Sequence, residues 1–182
     1  MMLPHHSIIL ALIVSLSLQL VHSEDSSCAE WGAFNASGAA VGHRTITISD
    51  ETRDNRTLNV DIWYPAINNG EEFARYNPLL PSQGVYYSAL DNPQVAPSRN
   101  LPLLVFSHGY GSIRQQSALL MEHLASWGFV IASPDHAGNS MNDPVGDDIP
   151  FTIQDRPKDV SFVIDTMLSS PYVDEFYLGG SD

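Results

Sequence analysis

The chain of 182 residues is strongly acidic, since 8 lysine and arginine residues stand against 21 aspartate and glutamate residues and give a formal net charge of −13. This balance argues against nucleic acid as a partner and against electrostatic adsorption to anionic lipid, because both require clusters of Lys and Arg. Without the first 23 residues, the length is still sufficient for one domain with a hydrophobic core.

The first predicted element is a secretory signal peptide over residues 1–23. Ile8 to Leu20 is an almost wholly apolar run that is too short to span a bilayer, and Val21 and Ser23 stand at the positions that a signal peptidase reads. We expect a secreted or periplasmic protein with no stable membrane insertion after cleavage; an uncleaved membrane anchor is the alternative. Residues 24–42 are rich in Ser, Ala and Gly and predict a flexible leader, and residues 43–182 form the domain.

Three residues near the start carry chemistry that depends on the compartment. Cys28 is the only cysteine in the chain, so an internal disulfide is excluded, and either a partner elsewhere or a free thiol remains open. Asn35 and Asn55 each begin an Asn-X-Ser/Thr tripeptide, which is a glycosylation acceptor only in a eukaryotic secretory pathway.

Two segments alternate between apolar and polar residues with the period of a β-strand. They are Arg44–Ser49 and Leu58–Tyr64, and the polar residues 50–57 between them suit a turn, so the pattern predicts a β-hairpin. Residues 67–100 contain several prolines and no sustained periodicity, which predicts a long loop with one helical turn near Tyr86 to Leu90.

From Leu101 onward the pattern alternates between strand and helix. The apolar strand from Leu101 is followed by a helix predicted from about Arg114 to Trp127, which Gly128 ends, and by a parallel strand over Phe129–Ser133. The buried face of this helix is predicted to consist of Leu119, Leu120, His123, Leu124 and Trp127.

A second helix follows, for which Asp155 is a plausible N-cap and Pro157 lies close to the first turn. Its apolar stripe is predicted to consist of Val160, Val163, Ile164, Met167 and Leu168. Right-handed strand–helix–strand winding packs both helices against a mostly parallel sheet.

The strand from Leu101 ends abruptly in His108-Gly109-Tyr110-Gly111, which is the most informative feature of the chain. Two glycines allow a sharp turn, so that the backbone N–H of Tyr110 points away from the sheet and can stabilise an oxyanion. Gly109 and Gly111 would then lie against the substrate. A phosphate-binding turn is the alternative, but it lacks its third glycine because position 114 is Arg; a purely structural turn also remains open.

The segments from Leu101 to Ser140 and from Arg156 to Leu168, together with Val41 to Ala66, resemble the secreted α/β-hydrolases related to dienelactone hydrolase and plasma platelet-activating-factor acetylhydrolase. The resemblance implies an α/β fold with a mostly parallel sheet and an N-terminal antiparallel hairpin. It also implies a serine in a G-x-S-x-G turn, followed by an Asp and finally a His. None of the three is clearly present before Asp182, so we expect the N-terminal half of such a domain, without its C-terminal half and with an unpaired edge on one of its parallel strands.

This resemblance implies a serine hydrolase that degrades carboxylic esters, with phospholipid acetyl esters, lactones and polyesters as candidate small-molecule substrates and no cofactor. The order of the family excludes His108 as the base, so a structural role is expected for it. Asp135 and His136 are neighbours on a strand and point to opposite faces, so they do not form an acid and base pair. The histidines and aspartates nearby have no recognised ligand spacing, and no metal site is predicted.

Ser181 is a weak candidate for the nucleophile. Gly179-Gly180-Ser181-Asp182 would become G-x-S-x-G if a glycine came next. The strand before it would then be Val173–Leu178, whose adjacent carboxylates are poorly placed in a sheet that is covered on both faces, and this favours a loop. The alternative for the whole chain is a non-catalytic secreted α/β module that binds a partner through residues 67–100.

Overall fold

The computed structural model describes residues 10–12, 39–76, 88–98, 100–143 and 149–179. Among these residues the strands are β1 (Leu10–Leu12), β2 (Ala40–Asp50), β3 (Arg56–Ala66), β4 (Leu90–Asp91), β5 (Leu103–Phe106) and β6 (Val130–Pro134). The helices are α1 (Ala118–Ser126), α2 (Ile149–Met167) and α3 (Tyr172–Glu175). The strands form one sheet in the order β1-β5-β6-β3-β2-β4.

The predicted hairpin is confirmed and is longer than its alternating pattern. Strands β2 and β3 pair in antiparallel register from Ala40 opposite Ala66 to Asp50 opposite Arg56. Strand β2 therefore begins at Ala40, inside the leader that was predicted to run to residue 42. The Asp50 carboxylate accepts the Thr52 N–H at 3.0 Å and so caps the single 3₁₀ turn that starts the connection.

The remaining pairings make the sheet mixed, with a parallel part built by a helical crossover. Strand β5 lies parallel to β6, α1 connects the two, and β6 lies antiparallel to β3. This α/β arrangement, in which an antiparallel hairpin precedes a parallel pair, is the predicted fold class.

Helices cover both faces of the sheet, and each face has its own apolar core. Along β3 the side chains alternate, so that Val60 and Ile62 face α2 while Trp63 faces α1. The first core also takes Val163 and Met167 from α2, and the second takes Met121 from α1. Two-sided burial explains why the central strands read as nearly continuous apolar runs.

Strand β5 is paired on both sides, which corrects the expectation of an unpaired edge. Leu10, Ala11 and Leu12 lie parallel to Leu104, Val105 and Phe106. These three residues belong to the predicted signal peptide, whose other residues lie outside the described part of the chain. Cleavage after Ser23 would remove this strand and free the edge of β5.

The predicted face of α1 is wrong. The buried residues are Ala118, Met121, Glu122 and Ala125, whereas Leu119, Leu120 and Trp127 are exposed. The two alanines let the helix lie close to the sheet. Glu122 is held in the interface because its carboxylate accepts the Tyr76 hydroxyl at 2.5 Å and the Ser88 N–H at 2.9 Å.

The start of the second helix was also predicted wrongly. Helix α2 begins at Ile149, so Asp155 lies inside it and is not the N-cap, and Pro157 is an interior residue. Packing of Val163 and Met167 in the core stabilises this helix despite the backbone hydrogen bond that Pro157 cannot donate.

The loop between the hairpin and β5 and the segment before residue 180 also differ from expectation. Leu90–Asp91 lies parallel to Gly42 and His43, so the described end of the predicted helical turn is a strand that uses the free edge of β2. Residues Tyr172–Glu175 form helix α3, so the strand alternative is wrong for this segment, and a short helix stands where a loop was expected.

Substitutions in α1 test its buried face. Met121→Ala is expected to lower the free energy of unfolding by roughly 2 to 4 kcal/mol, because it empties part of the core, and Leu119→Ala by less than about 0.5 kcal/mol. Urea denaturation followed by circular dichroism measures both. Equal losses for the two variants would contradict the observed orientation of the helix.

Candidate functional site

The site begins with a tight turn over residues 109–112. The Ser112 N–H donates to the Gly109 carbonyl at 3.1 Å, which places Tyr110 and Gly111 in the middle of the turn. Gly111 has a φ of 63°, in the left-handed region that favours glycine. Gly109 does not have a positive φ; a Cβ there would lie 3.3 Å from the Gln116 side-chain oxygen, so close approach explains this glycine.

The turn leaves one backbone donor available. The Gly109 N–H donates to the side-chain carbonyl oxygen of Gln116 at 2.6 Å. The Tyr110 N–H makes no hydrogen bond to another described residue, and Tyr110 is 55% exposed. An exposed residue with an available N–H is compatible with an oxyanion donor, and the assignment of that role to Tyr110 stays a prediction.

Arg114 anchors the residues that follow the turn. Its backbone N–H donates to Asp135 at 2.7 Å, and its Nε donates to Asp61 at 2.8 Å. Asp61 is fully buried on β3. Burial alone would raise the pKa of Asp61, but interactions with His43 and Arg114 outweigh it and hold this pKa below its usual value.

His108 anchors the residues before the turn, in agreement with its predicted structural role. Its Nδ1–H donates to the Gly109 carbonyl at 2.7 Å, and its Nε2 accepts the backbone N–H of His136 at 3.2 Å. Burial lowers the pKa of His108 to about 4, so the ring is neutral near pH 7. Both ring nitrogens are thus used to shape the turn.

A hydrogen-bonded chain of Ser107, His136 and Asp159 lies beneath the turn. Ser107 Oγ is 2.8 Å from His136 Nε2, and His136 Nδ1 is 3.0 Å from Asp159 Oδ2. Asp135 instead binds Arg114 and Asn142, so Asp135 and His136 belong to different networks; both follow β6, which ends at Pro134, so this separation does not arise from alternation on a strand.

Asp159 is the charged end of that chain. It is fully buried and accepts hydrogen bonds from Arg53 Nη1 at 2.7 Å and from Arg56 Nε at 2.8 Å. Burial alone would raise the pKa of Asp159, but the bonds from Arg56, His136 and Arg53 outweigh it and hold this pKa well below its usual range. The ionised carboxylate then orients the Nδ1–H tautomer of His136.

The order of hydrogen bonds is that of a catalytic triad, but the burial is not. His136 is 0% exposed, so its Nε2 cannot pass a proton to a leaving group. Ser107 Oγ also accepts a hydrogen bond from Arg156 Nη2 at 2.9 Å, which keeps it in the network. We therefore assign Ser107, His136 and Asp159 a structural role in supporting the turn.

Sequence reasoning missed Ser107, Arg156 and Asp159. A signal for Asp159 was present, because it precedes Val163 by four residues and so lies on the apolar stripe of α2, where a carboxylate requires a buried partner. Ser107 and Arg156 gave no comparable signal, since their contacts join elements far apart in the chain. Ser181 lies outside the described residues.

An open groove lies elsewhere on the described part of the structure. It has a volume of about 770 Å³, lies at the edge formed by β2 and β4, and is lined in part by His43, Arg44 and Asp91. No residue of the turn lines it, so we do not assign it to the candidate site.

Comparison with known proteins agrees with the fold. Residues 80–144 match the family described as platelet-activating factor acetylhydrolase, isoform II. The structure resembles that of a ferulic acid esterase from Streptomyces cinnamoneus, with a TM-score of 0.61 and 25% identity over 79% of this chain. It also matches a hypothetical protein, PA2218, from Pseudomonas aeruginosa, with a TM-score of 0.45 and 19% identity over 86% of this chain and 38% of that one. No curated protein matches.

The chain spans 49% of the length of the ferulic acid esterase. The matched family segment contains β5, the turn at Tyr110, α1 and β6, which is the part of the fold that carries the candidate site.

Removal of the Asp159 charge tests the buried network. Asp159→Asn is expected to lower the free energy of unfolding by about 3 kcal/mol at pH 7, because Arg53 and Arg56 lose the carboxylate that compensates their buried charge. The matched control is Asp155→Asn on the same helix, whose partner Lys158 is largely exposed, and it should cost less than about 0.5 kcal/mol. Urea unfolding measures both.

The pH dependence has a definite sign. Because the folded pKa of Asp159 is lowered, its contribution is complete above the unfolded value of about 4 and is lost as the pH falls below that value. The difference in stability between the wild type and Asp159→Asn should therefore stay constant from pH 7 to 5 and shrink only in stronger acid. A difference that already vanishes at pH 5 would argue against an ionised, hydrogen-bonded Asp159.

Proposed function

We propose that this chain, which has the α/β-hydrolase fold of the esterases it resembles, belongs to an enzyme that hydrolyses carboxylic esters. The observation that carries the proposal is the available Tyr110 N–H on a turn that is anchored on both sides. A fixed donor of this kind stabilises the oxygen of an ester carbonyl as it becomes an oxyanion, without reorganisation during the reaction.

The reaction is acyl transfer to a serine. The serine oxygen attacks the ester carbonyl and gives its proton to a histidine base, and the Tyr110 N–H donates to the resulting oxyanion. Collapse of this intermediate releases the alcohol, which takes the proton from the histidine. Water then attacks the acyl-serine, and the histidine again accepts and returns the proton.

The nucleophile, acid and base are proposed to lie outside the described residues. The burial of His136 supports this, because Ser107 is only half-buried but the histidine that it contacts has no exposure, and the hydroxyl also binds Arg156. The length of the matched esterase, of which this chain covers about half, supports it as well. The chain would then contribute the oxyanion donor to a larger active site.

The substrate is proposed to be a small-molecule ester. The family match favours a phospholipid acetyl ester and the structural match an aromatic acid ester, while lactones and polyesters remain compatible. Secretion or periplasmic export is proposed from the apolar leader of residues 1–23. Among the described helices, none is long and apolar enough to cross a membrane.

The first prediction is that residues 1–182 alone do not turn over an ester. The purified chain should show no saturable hydrolysis of p-nitrophenyl acetate and no stoichiometric labelling by a fluorophosphonate, because among the described residues the serine that contacts a histidine ring, Ser107, contacts one that is fully buried. Mass spectrometry of the labelled protein gives the position of any adduct. Stoichiometric labelling of Ser181 or Ser107 would refute the proposed division of the active site.

The second prediction concerns Tyr110 in an active protein that contains this chain. Tyr110→Pro should lower kcat about 10²- to 10³-fold, because proline removes the N–H, while Tyr110→Phe should change kcat less than about twofold, because it keeps the N–H. Circular dichroism must show that both variants fold. An equal loss for both would assign the role to the phenol hydroxyl instead of the backbone.

A further inference from the structure

Arg156 differs from the other arginines that the structure describes. Arg44, Arg53, Arg56, Arg75 and Arg114 each form an ion pair with a carboxylate. Arg156 has no carboxylate within ion-pair distance among the described residues. Partial burial of a guanidinium without an anion costs free energy, and hydrogen bonds to neutral groups must offset that cost.

Those partners lie where β5 enters the turn. Nη2 of Arg156 donates to Ser107 Oγ at 2.9 Å and to the carbonyl oxygen of His108, and Nη1 donates to Asn139 Oδ1 at 3.2 Å. The His108 carbonyl belongs to the peptide group directly before Gly109. The next peptide group carries the Tyr110 N–H, and its carbonyl oxygen, that of Gly109, accepts the Nδ1–H of the same His108 at 2.7 Å, so His108 connects the contact of Arg156 to that N–H.

The Ser107 hydroxyl that contacts the guanidinium is fixed by buried groups. Ser107 Oγ contacts His136, and His136 contacts the buried carboxylate of Asp159, which Arg53 and Arg56 bind from the hairpin. A planar guanidinium can contact a hydroxyl and a carbonyl in one fixed geometry, whereas an ammonium group on a flexible stem cannot. Arg156 thus adds a further connection between the turn and the interior of the sheet, beside those made by His108 and Arg114.

We propose that Arg156 is a positioning residue that holds the His108 carbonyl and thereby orients the Tyr110 N–H toward the oxyanion. The inference rests on the proposed ester hydrolysis only for the use made of that N–H. The clamp, meaning the contacts of Arg156 with Ser107 Oγ and with the His108 carbonyl, does not depend on that function. Its cation also lies beside the turn without an ion pair to any described carboxylate, which favours negative charge on a bound substrate oxygen.

Backbone amide hydrogen exchange of the full chain, measured by mass spectrometry, tests the clamp. Arg156→Gln is expected to accelerate exchange in residues 107–113 about tenfold, and Arg156→Lys is expected to restore only part of the protection. The matched control is Lys158→Gln, which removes a positive charge from the same helix at a side chain that is 59% exposed. Exchange in the β2–β3 hairpin should stay unchanged in all three variants.

Unchanged exchange in residues 107–113 of Arg156→Gln would overturn the proposal, and so would equal acceleration in the Lys158→Gln control. Loss of protection throughout the hairpin would also overturn it, because Arg156 would then support the whole fold. If Arg156→Gln does not fold, Ser107→Ala provides the same test with the guanidinium intact. It should accelerate exchange in residues 107–113 relative to the unsubstituted chain, and unchanged exchange there would refute the clamp.

Kinetic measurements on an active protein that contains this chain test whether the clamp contributes to stabilisation of the oxyanion. Arg156→Gln should lower kcat at least tenfold with KM changed less than about twofold, because the lost orientation matters only for the oxyanion. Faster exchange together with an unchanged kcat would overturn the link to the oxyanion. If Tyr110→Pro is fully active as well, the proposed function is wrong. If Tyr110→Pro is inactive while Arg156→Gln is active, only the proposed role of Arg156 is wrong.

Discussion

The buried carboxylate of Asp159 is the constraint on which the candidate site depends. A charge with no exposure to water must be compensated by donors, and these come from the hairpin through Arg53 and Arg56 and from the segment after β6 through His136. Helix α2 is thereby joined to two parts of the sheet in one orientation. The same histidine contacts Ser107, so the constraint extends to the end of β5.

A second buried carboxylate, that of Asp61, has the same effect on the other side of the turn. Arg114 bridges Asp61 and Asp135 and so connects the residues after Gly111 to β3 and to the end of β6. The turn is short and exposed, yet both of its ends are tied to buried charges. Such rigidity is what an oxyanion donor requires, because its contribution depends on being oriented before the reaction begins.

The parts of the fold that were predicted correctly are those in which one periodic pattern decides the structure. Alternation over Leu58–Tyr64 identified β3 because every second side chain enters the same core. The prediction failed for α1, where two alanines and Glu122 are buried while Leu119 stays exposed. Hydrophobic periodicity cannot recognise a buried glutamate, since the Tyr76 and Ser88 donors that permit it lie more than thirty residues earlier.

The sequence by itself determined the fold class, the hairpin and the place of the turn, because strand periodicity and a glycine at positive φ are local properties of the chain. It also predicted that the Tyr110 N–H is an oxyanion donor. Only the tertiary structure decided what holds that donor in place. Ser107, His136 and Arg156 act through side-chain hydrogen bonds that span 17 to 49 positions of the chain, and no local pattern encodes a contact whose two ends are brought together only when the sheet forms.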